Sequence, residues 1–113
     1  MSLRDEILGN RDFPVSPPIE VPGWKVDTPL HFRTLTAGET DRAERKYLSD
    51  DSDGLRALFA ALVLSDADGK RVFTDADIPV LNQMQADPLS WILEHGKSWN
   101  KISDSDLAEI SGN

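Results

Sequence analysis

The densest apolar stretch of the chain, Leu55 to Leu64, sets the terms for everything around it. Leu55, Leu58, Phe59, Leu62 and Val63 recur at i, i+3, i+4, i+7 and i+8, with Ala57, Ala60 and Ala61 between them, a spacing that puts the large side chains on one face of an α-helix. Such a helix must be buried, so the remaining segments are expected to cover it. Ser65-Asp66-Ala67-Asp68-Gly69 stops it, because glycine tolerates positive φ and short aspartates hydrogen-bond their own backbone. Arg71-Val72-Phe73 then reads as a short extended return and Thr74-Asp75-Ala76-Asp77 as a helix cap, with Asp77 the alternative start because Pro79 would remove a ladder bond.

A chain of 113 residues is enough for one domain with a core of its own, and residues 1–113 are read as that single domain. It has no cysteine, which rules out disulfides, thiolate metal ligands and thiol catalysis and fits a reducing, cytoplasmic setting. A formal charge of −8 argues against nucleic acid and anionic membrane as partners, since both would repel it. No apolar run approaches the length of a membrane span, and the opening Met1-Ser2-Leu3-Arg4-Asp5-Glu6 lacks the apolar middle of a signal peptide.

Read in order, Ser2 caps a short helix reaching Ile7 or Leu8, with Asp5 and Glu6 in its first turn and Gly9-Asn10 ending it. Residues 13–23 form a proline-rich extended arm, since Pro14, Pro17, Pro18 and Pro22 fix φ and delete backbone donors. Ile19, Val21 and Trp24 are its apolar anchors. Trp24 to Val26 and Leu30 to Leu35 are expected to pair as a hairpin across Asp27-Thr28-Pro29. Thr36-x-x-Glu39 has the spacing of a capping box for a helix reaching about Leu48, whose packing side is marked by Ala43 and Tyr47. A polar loop over residues 49–54 precedes the central helix. Asp87-Pro88 predicts a helix carrying Leu89, Trp91, Ile92 and Leu93, with Gly96 ending or loosening it, and Ser103 to Asp106 caps a last short helix with Leu107 and Ile110. The expected fold is therefore α+β and mainly α: four to five short helices, a small N-terminal β-hairpin and a short strand after the central helix.

The acidic pairs invite a calcium reading that their spacing does not support. With Gly69 at the invariant glycine of an EF-hand loop, Leu64 falls at the first ligand position and Asp75 replaces the closing Glu; with Gly54 there, Ser49 comes first and Ala60 last. The aspartates read as turn formers and caps. His31 and His95 share no zinc spacing, and the chain has neither a GxSxG elbow, nor a phosphate-cradling glycine loop, nor SxxK. Neither a metal, a cofactor nor a catalytic residue is expected, and the chain does not read as an enzyme. Its three tryptophans serve either as core filler or as interface anchors. Adjacent Trp91 and Ile92 point about 100° apart on a helix, so both cannot centre on one narrow buried stripe. The candidate partner surface is thus Trp91, Ile92 and Trp99 together with Ile19, Val21 and Trp24 of the arm, with Trp91 and Trp99 ranked as anchors ahead of Trp24, against the alternative that all three tryptophans close the core of a monomer.

Taken as an ordered set, SLRDEIL, the arm ending VPGW, HFRTLTAGE, LVLSDADGKRVFTDADI and KISDSDLAEI resemble the small tail assembly chaperones of long-tailed bacteriophages. That resemblance implies a non-enzymatic protein of the bacterial host cytoplasm that self-associates, coats the apolar helices of the tape measure protein, and yields to the tail tube protein. It also implies that this chain is the short form of a product that a frameshift can lengthen. A reading from another class is a small acidic inhibitor or DNA mimic that blocks a basic protein, which would need its carboxylates displayed as an exposed array.

Overall fold

The computed structural model describes residues 2–49 and 54–102. In chain order these form helix α1 (Leu3–Leu8), strand β1 (His31–Phe32), helix α2 (Ala37–Leu48), helix α3 (Leu55–Val63), strand β2 (Leu64–Ser65), a single 3₁₀ turn (Asp75–Asp77), helix α4 (Ile78–Leu81) and helix α5 (Ala86–Trp99). The protein is mainly helical, with five α-helices and one two-stranded antiparallel sheet among the described residues.

α3 is the hub. Every residue from Ala57 to Val63 is buried, and α2, α4, α5 and the 3₁₀ turn all pack on it. Because alanines fill the face between its large residues, neighbours can approach from several sides. The closest approach is α5, where Gly96 has no side chain: a Cβ there would lie 2.8 Å from Phe59 Cε1. Gly96 does not end the helix, which continues to Trp99; it makes room for the α3–α5 contact instead. α5 also starts earlier than Asp87, at Ala86. Pro88 is accommodated in its first turn, where a missing N–H breaks no helical bond.

The sheet differs from the local hairpin that sequence spacing suggests. β1 pairs with β2, His31 opposite Ser65 and Phe32 opposite Leu64. Its other edge takes the proline-rich arm, through isolated antiparallel bridges of Val15 with Arg33 and Ile19 with Leu30. Trp24 to Val26 stays out of this pairing because Pro22-Gly23 turns the chain, with Gly23 at φ +92° and Trp24 N–H donating to Val21 O at 3.1 Å. Leu64 leaves the central helix for β2, and the return after the acidic turn is a bridge of Arg71 to Ser65. Ser16 fastens the arm: its N–H donates to Phe32 O at 2.8 Å and its hydroxyl accepts from Phe32 N–H at 2.8 Å. His31 Nδ1 meets Ser16 O at 2.7 Å, so this nitrogen carries the proton.

The capping box anticipated at Thr36 forms as expected, and the cap anticipated at Thr74 takes the form of a second one. Thr36 and Glu39 exchange side-chain and backbone bonds at the start of α2. Thr74 and Asp77 do so at the 3₁₀ turn, which hands over to α4 with Pro79 in its first turn. Asp50 to Asp53 of the polar loop and the expected helix from Ser103 to Ile110 lie outside the described residues. No helix among the described residues is long and apolar enough to cross a membrane.

Candidate functional site

The structure divides the candidate partner residues. Ile92 is 0% exposed and Val21 5% exposed, so both belong to the core of this chain. The reason is orientation: on α5 the face carrying Leu89, Ile92 and Gly96 is the one turned to α3, and the Pro22-Gly23 turn folds Val21 inward. Trp91, one residue round the helix from Ile92, is only partly buried. Its indole stacks between Phe32, at 6.1 Å between ring centroids, and His95, at 4.1 Å. Trp99, Trp24 and Ile19 are likewise partly buried and packed against the core.

One predicted anchor lines an open apolar surface. Trp24 and Val26 from the chain beyond the Pro-Gly turn, Leu30 before β1, Val72 and Phe73 after the acidic turn, and Met84 ahead of α5 border a cleft of about 380 Å³, with Lys25 as its charged residue. Val26, Val72 and Met84 are exposed large apolar side chains. Sequence reasoning missed Val26, Val72 and Met84 because they come from three separate loops and share no periodicity. A cavity between α2, α3 and α5, bordered by Ala43, Phe59 and Leu93, measures about 50 Å³. That is far below the roughly 300–1,000 Å³ of small-molecule pockets.

Charged groups near the sheet serve the scaffold. Arg33 Nη1 reaches both Glu39 carboxylate oxygens, at 2.9 and 3.0 Å, and also Leu62 O at 2.7 Å. Burial would raise the Glu39 pKa, but hydrogen bonds from the Arg33 guanidinium and the Thr36 N–H outweigh it and hold the carboxyl below its ordinary value. Arg71 Nε donates to Ala61 O at 2.8 Å and its Nη2 to Asp75 at 3.3 Å, while Arg42 grips the same carboxylate at 3.1 Å. Hydrogen bonds from Arg42 and then Arg71 lower the Asp75 pKa. Two guanidiniums thus serve the last carbonyls of α3, which a helix cannot satisfy itself. Asn100, just past α5, ties down the segment between β1 and α2, accepting from Leu35 N–H at 2.9 Å and donating to Arg33 O at 3.2 Å.

The acidic turn uses its carboxylate on its own backbone. Asp66 Oδ1 accepts from the N–H groups of Asp68, at 2.9 Å, and Lys70, at 3.0 Å, and Gly69 adopts φ +83°. Among the described residues no group of three or more His, Asp or Glu side chains is placed to hold a metal ion. His95 Nδ1 lies 2.9 Å from Trp91 O, four residues back on its own helix.

Compared with known proteins, the chain matches no family model, no curated protein and no solved structure.

Proposed function

We propose that this protein is a non-enzymatic tail assembly chaperone that binds the tape measure protein of a long-tailed phage and keeps it soluble in the host cytoplasm until the tail tube protein replaces it. The observation that carries the reading is the apolar cleft bordered by Trp24, Val26, Val72, Phe73 and Met84. A helix lays its apolar stripe into such a groove, with a few large side chains as anchors. The net charge of −8 adds a second element, because complexes coated by an acidic subunit repel one another.

The inhibitor or DNA-mimic reading needs carboxylates on display. Here Glu39 and Asp77 are engaged in capping boxes, Asp66 in its turn and Asp75 between two arginines. Those four carboxylates serve the fold, and it is the apolar cleft that favours the chaperone. The test is co-expression of the protein with the tape measure protein encoded beside it, measuring soluble client. Parent protein should raise soluble client, whereas Val72→Asp and Met84→Asp should lose the effect while keeping the parent melting temperature. If the client stays insoluble with parent protein, or stays soluble with both groove variants, the reading fails.

A further inference from the structure

Helix α1 is a helix that its own chain does not support. At six residues it is far shorter than the roughly 12–15 at which an isolated peptide holds helical structure in water. None of its residues is buried, and Leu3, Ile7 and Leu8 stand 71%, 59% and 47% exposed. Yet both ends are finished. Ser2 Oγ accepts from Asp5 N–H at 3.2 Å, and the Asn10 amide donates to the Glu6 and Ile7 carbonyls at 3.0 and 3.3 Å. A capped helix with three bare apolar side chains requires an apolar surface from outside itself.

The wheel of α1 specifies that surface. Leu3, Ile7 and Leu8 fall within an arc of about 140°, with Glu6 beside Leu3 and Asp5 beside Leu8. Arg4, which falls inside the arc, is drawn aside to Asp5 at 3.3 Å. The complement is a strip of apolar floor with cations along its rim.

The described body offers such a place between the C-terminal half of α2, the start of α3 and α4. There Leu58, Ile78 and Pro79 border a cleft of about 690 Å³, together with Arg42, Arg45 and Lys46. Arg42 is held by Asp75 at 3.1 Å, whereas Arg45 and Lys46 make no ion pair among the described residues. Among the described residues that line it, the charged ones are all cations, opposite in sign to the net charge of −8. No residue of α1 lines it within the same chain. The arm is rooted elsewhere, at Pro14, whose carbonyl accepts from Thr34 Oγ1 at 2.6 Å, and at the Val15–Arg33 bridge.

We infer that α1 of one copy docks in the α2–α3–α4 cleft of a second copy, and reciprocally, so that two chains exchange their N-terminal helices. Leu3 and Ile7 would cover Leu58, Ile78 and Pro79, while Asp5 and Glu6 face Arg45 and Lys46. An exchange of identical contacts closes on itself as a two-fold dimer. The inference rests on α1 and the cleft alone and is independent of the proposed client.

Sedimentation equilibrium of the full chain over a concentration series tests it. The parent should dimerise, and Ile7→Asp in α1 and Arg45→Glu in the cleft should each weaken the dimer by about tenfold or more, some 1.4 kcal/mol. A chain carrying Asp5→Lys, Glu6→Lys, Arg45→Glu and Lys46→Glu together should recover dimer that the α1 pair or the cleft pair of substitutions alone loses. A parent monomeric throughout the series would overturn the inference, including one in which α1 docks on its own body and its amides are slow to exchange. A dimer unmoved by either single substitution would overturn it equally, since assembly would then use another surface.

Discussion

Arg33 does more for this fold than its place at the end of a two-residue strand suggests. Its guanidinium links the capping box of α2 to the last turn of α3, and its backbone lies between the arm and Val63 O, to which its N–H donates at 2.8 Å. Removing the carboxylate charge by Glu39→Gln should cost roughly 1.5–3 kcal/mol, the range for a hydrogen bond to a charged group, measured by urea unfolding at neutral pH. The pH dependence has a definite sign. The folded-state pKa of Glu39 lies below its ordinary 4.5, so its contribution is present above that value and lost as pH falls through the lowered folded pKa. Across that interval the parent should lose more stability than Glu39→Gln. Equal pH slopes would show that the pair contributes nothing.

At the scale of elements, the α3–α5 contact decides stability. Gly96→Ala pushes a methyl against Phe59 and Val63 and should cost roughly 1–3 kcal/mol through overpacking. Leu62→Ala opens a cavity at a fully buried position and should cost roughly 2–5 kcal/mol. Thermal melts of both variants check these values, and parent-like melting would displace α3 from the centre of the fold. α3, the capping box of α2 and the cap at Thr74 were legible in the sequence because their signals lie within one or a few turns of chain. The pairing of β1 was not, since its partners Ser65 and Leu64 are remote and a two-residue strand carries almost no periodicity. Nor were the guanidiniums that serve Leu62 O and Ala61 O, because nothing local in Arg33 or Arg71 names a distant carbonyl. Trp91 and Ile92 posed a choice that spacing stated but could not resolve, and the face packed on α3 resolved it for Ile92.

For the molecule as a whole, the scaffold keeps its core closed around α3, and open surfaces among the described residues include the apolar cleft near Trp24 and the cation-rimmed cleft at the start of α3. Little of the first is legible in the sequence, which ranks Trp24 behind Trp91 and Trp99 as an anchor, while Val26, Val72 and Met84 meet only through the fold. The central claim is that this first cleft receives an apolar helix. Amide hydrogen exchange of the full protein, with and without a peptide carrying an apolar helical segment of the tape measure protein, tests it most directly. The account predicts slowed exchange in the segments around Trp24–Val26 and Val72–Phe73, abolished by Val72→Asp. No slowing in either segment, or slowing confined to Trp91–Trp99, would contradict it.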